Sequence, residues 1–470
     1  MLLQYFYDDK LAQASYLVGC QAANEAVVID PARDVQPYIK AAEEHGMTIT
    51  GVMETHIHAD YLCGARELAD RTGAVLYVSD EGPAEWKYEN IDKLNHQLLK
   101  DQDQIKLGKI RFDVMHTPGH TPESVSFLVT DGGAEADEPL GIFTGDFVFV
   151  GDIGRPDLLE KAAKQKDTAA AGAEDMFHSL EKFKQLPDFT QVLPGHGAGS
   201  ACGKSLGSVP SSTVGYEKRF NWALQYTDKE QFKQDLVEDQ PEPPVYFAEM
   251  KRVNKEGPAF LKDLADPEVM GKELLQEAVS TGQVIDTRPP EQFAAAHMEG
   301  VMNLPLNKSF TNWAGWLLNY EDPIYAIVEE NQVDELKTAL RSIGLDQLKG
   351  WANPSIAMTI GKPQSFDQLT PEQASDWIES GSVHVLDVRG AAERKNGYVE
   401  GSTHIMLGEL PHRIKEVPTD KPVLVQCGTG LRSAIGASIL QKNGITDVKN
   451  MMGGFGRFAK MGSEDVIVDG

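Results

Sequence analysis

The sequence predicts a multidomain α/β protein, and three observations carry that expectation. Short apolar strands alternate with helical stretches, polar metal-capable residues collect just after several strands, and a block of roughly 100 residues recurs near the C-terminus. With 470 residues the chain exceeds one ordinary core, and at roughly 150 residues per domain about three domains are expected. Hydrophobic residues make up 41% and charged residues 24%, which excludes wholesale disorder. Forty-four Lys and Arg against 71 Asp and Glu give a net charge of −27. That balance argues against a nucleic-acid or anionic-membrane binder, since both favour net positive charge. The opening MLLQYFYDDK has neither the basic nor the apolar region of a secretory signal. No apolar run reaches the roughly 18 residues of a membrane span. Cys20, Cys63, Cys202 and Cys427 are far apart and form no CxxC, so no disulfide framework is expected and the reducing cytoplasm is the expected address.

Two composition shifts divide the chain. Asp235–Pro244 is acidic and proline-rich, and Asn353–Phe366 contains Pro354 and Pro363. The expected blocks are 1–245, 255–352 and 364–470. The last two read as copies: Val284-Ile285-Asp286-Thr287-Arg288 recurs as Val385-Leu386-Asp387-Val388-Arg389, and Glu299-Gly300 as Glu400-Gly401. Ile324-Tyr325-Ala326-Ile327-Val328 answers Val423-Leu424-Val425-Gln426-Cys427. Both should be parallel sheets covered by helices on each face.

In the first block, strands are expected at 26–31, 49–52, 74–78 and 110–114, with helices at 35–45 and 59–72. Ligand sites in layered α/β folds sit at strand ends. Thr55-His56-Ile57-His58-Ala59-Asp60-Tyr61 lies at such an end, and so do Pro118-Gly119-His120, Thr144-Gly145-Asp146 and Pro194-Gly195-His196-Gly197. Singly, each would serve as a turn residue whose side chain satisfies nearby backbone. Four in this order point to one centre. Imidazole and carboxylate together suit Zn, Fe or Mn.

Through His56-x-His58-x-Asp60, His120, Asp146 and His196, the first block resembles the metallo-β-lactamase superfamily, which implies an αββα sandwich. Dinuclear members, including the glyoxalase II thioesterases, carry a histidine after the Asp, where this chain has Tyr61. A single metal is therefore expected. Gln13-Ala14-Ser15-Tyr16, Phe149-Val150-Gly151-Asp152 and Gly154-Arg155-Pro156-Asp157 are similar to the persulfide dioxygenases. That resemblance implies one Fe(II) per chain on His56, His120 and Asp146, with Zn as a substitute. His58, Asp60 and His196 would then stand behind the ligands and orient them or a bound water. Arg155 is expected to anchor a substrate carboxylate, since its fork matches that anion. Cys202 reads as a redox thiol near the site or, preferably, a buried filler; Cys20 takes the filler reading too.

Gln426-Cys427-Gly428-Thr429-Gly430-Leu431-Arg432-Ser433 joins an apolar strand to a helical stretch. Gly428 and Gly430 let backbone amides converge on the sulfur, and Arg432 adds charge, so an acidic, nucleophilic thiol is expected. The four residues between Cys427 and Arg432 are too few for the Cys-x5-Arg phosphatase pattern. With Asp387-Val388-Arg389, the loop resembles the rhodanese sulfurtransferases, which implies a Cys427 persulfide. The middle block has Val328 at that place and is expected to be an inactive rhodanese-like domain. The expected function is oxidation of a low-molecular-weight thiol persulfide by O2 to sulfite plus thiol. Transfer of sulfur through Cys427 would then give thiosulfate. The alternative is a glyoxalase II-type thioester hydrolase with sulfur-trafficking rhodanese domains. Self-association is expected, with no nucleic-acid or membrane partner.

Overall fold

The computed structural model describes residues 1–158, 160, 168–204, 206–238, 240, 242–462 and 466–467. The chain forms two compact units, Met1–Leu264 with Arg341–Gly344, and Ala265–Leu340 with Leu345–Gly470. Among the described residues, no helix is long and apolar enough to cross a membrane.

The first unit holds two six-stranded sheets. One runs in the order β1 (Leu2–Asp8), β2 (Gln13–Cys20), β3 (Glu25–Ile29), β4 (Thr48–Met53), β5 (Val75–Ser79), β6 (His96–Leu99). The other runs β12 (Ser212–Thr213), β11 (Gln191–Pro194), β10 (Gly141–Gly145), β9 (Val125–Asp131), β8 (Ile110–His116), β7 (Gln104–Leu107). Every residue of β2 is buried, because both of its faces are covered. Ala14, Tyr16, Val18 and Cys20 share one core with Phe112, Phe127 and Phe143 from the facing sheet. On the other face, Ser15 Oγ bonds Tyr38 Oη at 2.7 Å from the helix Gln36–Glu44. Behind the second sheet, Ala173, Met176, Leu180 and Phe183 of the helix Thr168–Phe183 pack with Ile142 and Val192. The layers are thus helix, sheet, sheet, helix, with the strand alternation of the sequence choosing which side chains face which layer.

The expected strands are present, but the helix expected at 59–72 begins only at Ala65. The preceding residues wrap as a loop, closed by a hydrogen bond from Gly64 N to Pro31 O at 2.8 Å. The first unit also passes the expected boundary at 245. The helix Lys229–Val237 runs into the acidic stretch with Leu236 buried, and the helix Phe247–Glu256 buries Phe247 and Met250. Enough apolar side chains sit among the prolines and acids there to pack both helices.

The second unit contains two five-stranded sheets of one topology. The first runs β13 (Glu268–Val269), β17 (Leu348–Ala352), β16 (Ile324–Ile327), β14 (Gln283–Asp286), β15 (Met302–Asn303). The second runs β18 (Asp367–Leu369), β23 (Val448–Met451), β22 (Val423–Gln426), β19 (His384–Asp387), β21 (Thr403–His404), with the short β20 (Tyr398–Val399) paired outside it. All pairings within both are parallel. The stretch 353–366 is packed rather than loose: Ile360 and Phe366 are buried, and Gln364 exchanges backbone hydrogen bonds with His297.

Candidate functional site

The strand ends of the first unit bring the expected residues together. His56 follows β4, His120 follows β8, Asp146 follows β10 and His196 follows β11. Gly145, at φ +50°, allows the last turn, and any side chain there would collide with Thr55 Oγ1. His56, His120 and Asp146 form a buried group whose donor atoms all lie within 4.8 Å of one another. Asp60, His196 and Cys202 form a second such group, and Glu54, His58 and Cys63 a third.

Hydrogen bonds decide which ring nitrogens are free. Thr55 Oγ1 donates its single proton to Asp30 Oδ2 at 2.8 Å, so it can only accept from His56 Nδ1 at 3.0 Å. His120 Nδ1 donates to Arg155 O at 3.0 Å, and His196 Nδ1 to Ala12 O at 3.1 Å, both carbonyls that can only accept. All three rings are therefore fixed to present Nε2 inward. Among the described residues, His56 Nε2, His196 Nε2, Asp60 Oδ1 and both Asp146 oxygens are buried and have no hydrogen-bond partner. Their mutual approaches, 3.9 Å from His56 Nε2 and 3.5 Å from His120 Nε2 to Asp146 Oδ2, are too long or misaligned for hydrogen bonds. Such atoms are costly to bury and suit a metal cation.

Burial, helped by the neighbouring histidines, holds His56 well below its ordinary value, which keeps the imidazole neutral as a ligand must be. Burial also lowers His120. It acts the same way on His196, but the Asp146 and Asp60 carboxylates outweigh it and push His196 up to about 10. Two negative charges beside one ring attract a proton or a cation alike.

His58 turns elsewhere, with Nε2 3.1 Å from Asp30 Oδ1 and 3.2 Å from Tyr61 Oη. Tyr61 is itself buried and accepts from Gln13 Nε2 at 3.3 Å.

In the second unit, Cys427 follows β22 and is fully buried. Its Sγ accepts from Gly430 N at 3.1 Å and from Ser433 Oγ at 3.4 Å. Gly430 sits at φ +99°, where a Cβ would stand 3.0 Å from Gly453 N. The helix Leu431–Lys442 starts directly after it and points its N-terminus at the sulfur's loop. Arg432 is paired with Glu393 at 2.5 and 2.6 Å.

The Metallo-beta-lactamase superfamily matches residues 8–196. A crystal structure described as a metallo-beta-lactamase from Staphylococcus aureus subsp. aureus COL is 42% identical to this chain. The likeness covers 75% of this chain and 99% of that one, with a TM-score of 0.68. The chain belongs to the metallo-beta-lactamase superfamily. The Rhodanese-like domain matches residues 370–461. "Persulfide dioxygenase ETHE1, mitochondrial" of Bos taurus is 28% identical over 201 residues, which are 42% of this chain and 68% of that protein. A hydroxyacylglutathione hydrolase of Rhodospirillum rubrum is 32% identical over 181 residues, 38% of this chain and 60% of that protein. Fold and donor set together indicate a metal cofactor in the metallo-beta-lactamase domain.

One expected residue of that domain is not where the sequence reading put it. Arg155 is fully buried, and its fork is occupied by Asp157, Nε to Oδ1 at 2.8 Å and Nη2 to Oδ2 at 2.7 Å. An incoming carboxylate would have to displace Asp157, so Arg155 is corrected from substrate anchor to a support that offers its carbonyl to His120. Asp157 stands two residues on and could have given this away. The sequence reading missed Asp30, at φ +49°, which accepts from Thr55 N at 2.8 Å and ties His56 to His58. It also missed Glu123, whose Oε1 accepts from Ile57 N at 2.8 Å. Asn254 is a third, donating to His58 O and Tyr61 O at 2.8 and 2.7 Å. Cys202 is buried, as a filler would be, yet it shares a donor group with Asp60 and His196. Burial, and the acids beside it, raise its thiol well above the ordinary value.

Proposed function

We propose that the metallo-beta-lactamase domain is a persulfide dioxygenase with one Fe(II) on His56, His120 and Asp146, and that Cys427 carries sulfur in a rhodanese reaction. The observation that carries the iron assignment is the donor set: two imidazoles locked with Nε2 free and one carboxylate, with His58 turned away to Asp30. Two histidines and a carboxylate are the ligands of non-haem Fe(II) oxygenases, which leave neighbouring positions for O2 and substrate. When bound, Fe(II) supplies the redox chemistry that takes the outer sulfur of a thiol persulfide to sulfite. The chain's own residues hold and orient. Thr55 and Asp30 fix the His56 ring, and the Arg155 carbonyl fixes His120. His196 Nε2 lies 3.1 Å from Asp60 Oδ2 and 3.5 Å from Asp146 Oδ1, while Asp146 Oδ2 is the oxygen nearest His56 and His120. The similarity to the Bos taurus persulfide dioxygenase supports this reading.

At the sulfur carrier, Gly430 N–H, Ser433 Oγ–H and the helix N-terminus stabilise negative charge on Cys427, as a sulfur-carrying nucleophile requires. The middle block, whose sheet has the same strand order, is read as a rhodanese-like domain without the nucleophile. In this reading the middle and last blocks are two rhodanese-like α/β domains that follow the metallo-β-lactamase αββα sandwich in the chain. Sulfite attacking a Cys427 persulfide would give thiosulfate and the free thiolate.

A glyoxalase II-type thioester hydrolase is the second reading, favoured by the Asp60, His196 and Cys202 group, which offers a second ion its own donors. Metal analysis with oxygen uptake on a thiol persulfide separates the two. One iron per chain with O2 consumed supports the dioxygenase; two zinc ions and thioester hydrolysis contradict it. His120→Ala and Asp146→Ala should each lose the metal and O2 uptake by at least about a hundredfold, while Cys427 chemistry persists. Retention of iron and full uptake in either variant refutes the ligand assignment.

A further inference from the structure

The mouth of the Cys427 loop carries a charge pair that sulfur transfer does not by itself explain. Arg432 Nη1 and Nη2 donate to Glu393 Oε2 and Oε1 at 2.5 and 2.6 Å, a bidentate fork. Glu393 Oε2 also accepts from Gly390 N at 3.1 Å, so the carboxylate is held from two sides. A Cβ placed on Gly428 would lie 3.1 Å from Arg432 Nη2 and 3.5 Å from Glu393 Oε1, which sets the pair against the residue next to Cys427. Partial burial pulls the Glu393 carboxyl up, but Arg432 outweighs it and holds the group below its ordinary value. Neighbouring arginines are engaged elsewhere. Arg389 forks Asp387 and stacks 4.0 Å over Phe455, and Arg394 bonds Asp387 and Ser402. Arg432 thus stands between Glu393 and the Cys427 thiol, and the Glu393 carboxylate offsets much of the positive charge it brings to the loop.

Charge distinguishes the species this loop would handle. In the reading above, on which this inference rests, the Cys427 thiolate attacks the outer sulfur of R–S–SH. The S–S bond breaks, the electron pair leaves on RS⁻, and Cys427–S–SH forms. Sulfite then attacks that outer sulfur through its own sulfur lone pair; Cys427 leaves as thiolate and hydrogen thiosulfate departs. Sulfite and thiosulfate bring up to two charges near the reacting sulfur, whereas the persulfide, attacked in its protonated R–S–SH form, brings none there.

We propose that Glu393 is a specificity-determining residue of the Cys427 site. By pairing with Arg432 it lowers the positive charge the loop offers, so a doubly charged donor such as thiosulfate gains less from Arg432 than it would from an unpaired guanidinium, while a thiol persulfide is little affected. The loop is thereby biased toward loading from persulfide rather than from thiosulfate.

Glu393→Gln keeps the shape and removes the charge. In the full chain, Cys427 is alkylated with iodoacetate and with iodoacetamide, an anion and a neutral reagent of nearly equal size, and the rates are read on the Cys427 peptide by mass spectrometry. The iodoacetate-to-iodoacetamide rate ratio should rise about tenfold in Glu393→Gln and fall back toward wild type in Glu393→Asp. With thiosulfate as donor, KM should fall by a similar factor while kcat changes little. A ratio within twofold of wild type in Glu393→Gln overturns the proposal. So does an equal rise with both reagents, which reports a loosened loop instead of a charge effect. Alkylation needs no sulfur transfer. If the wild type turned over neither thiosulfate nor persulfide, the sulfurtransferase reading would fall, while the alkylation ratio would still decide the role of Glu393.

Discussion

The two halves of the second unit invite a bond-by-bond comparison. Arg288 forks Asp286 through Nε at 3.0 Å and Nη2 at 2.6 Å, and donates to Ala296 O at 3.0 Å. Arg389 forks Asp387 at 3.0 and 2.7 Å and donates to Gly397 O at 2.9 Å. Thr287 N bonds Ile327 O as Val388 N bonds Gln426 O, each at 3.0 Å. The halves diverge immediately past the neighbouring strand. After β22 comes Cys427 with its curled glycine loop. After β16 comes Val328, fully buried, followed by a 3-10 turn Glu330–Gln332 and the helix Val333–Ser342. The Asp-x-Arg clasp belongs to the fold and is needed whether or not any chemistry follows. The proposed nucleophile depends on a few residues at one strand end, and the middle sheet keeps its strand order without them.

Gly430→Ala should sharpen that division most. It forces a side chain onto φ +99° and against Gly453, displacing the N–H that Cys427 Sγ accepts. Sulfur transfer should fall by about a hundredfold with O2 uptake by the first domain unchanged. Transfer at the wild-type rate would mean that the loop amides do not hold the sulfur.

The clasps should rank next. Asp387 and Arg389 are both buried, so Asp387→Asn strands a buried guanidinium and should cost about 3 kcal/mol locally. Arg288 is 12% exposed and better hydrated, so Asp286→Asn should cost about 2 kcal/mol or less. Hydrogen exchange of the β19 and β14 amides reads the two costs separately. The reverse ranking would contradict the burial argument.

The smallest expected effect is none. Val328→Cys supplies a sulfur without glycines or an arginine beyond it and should transfer no sulfur above background. Measurable turnover in a Val328→Cys, Cys427→Ser double variant would show that the loop is dispensable.

Much of this was legible in the sequence because its signals are local. Alternating apolar residues announced the strands, and each histidine or aspartate stood at the end of one. The 286–288 and 387–389 echo announced two sheets of one plan. What escaped depends on residues distant in sequence meeting in space. Asp30 looked like the end of β3 until the 55–58 loop folded onto it, and Cys202 gained its place beside Asp60 only through the packed sandwich. Arg155 was misread because a free fork and a satisfied one are the same letter; burial and Asp157 decide between them. Glu393 was passed over for the opposite reason, since an exposed acid on a short helix gives no sign of the arginine it holds.

Coupling of an iron site to Cys427 is the central claim, and product analysis tests it most directly. Iron-loaded full-length protein is mixed with a thiol persulfide and O2 for a single turnover, in wild type and in Cys427→Ser. Wild type should yield thiosulfate as the main product, and Cys427→Ser should consume O2 at the same rate while sulfite accumulates. Equal sulfite from both proteins with no thiosulfate from either would contradict the coupling, and no O2 consumption by either would contradict the dioxygenase itself.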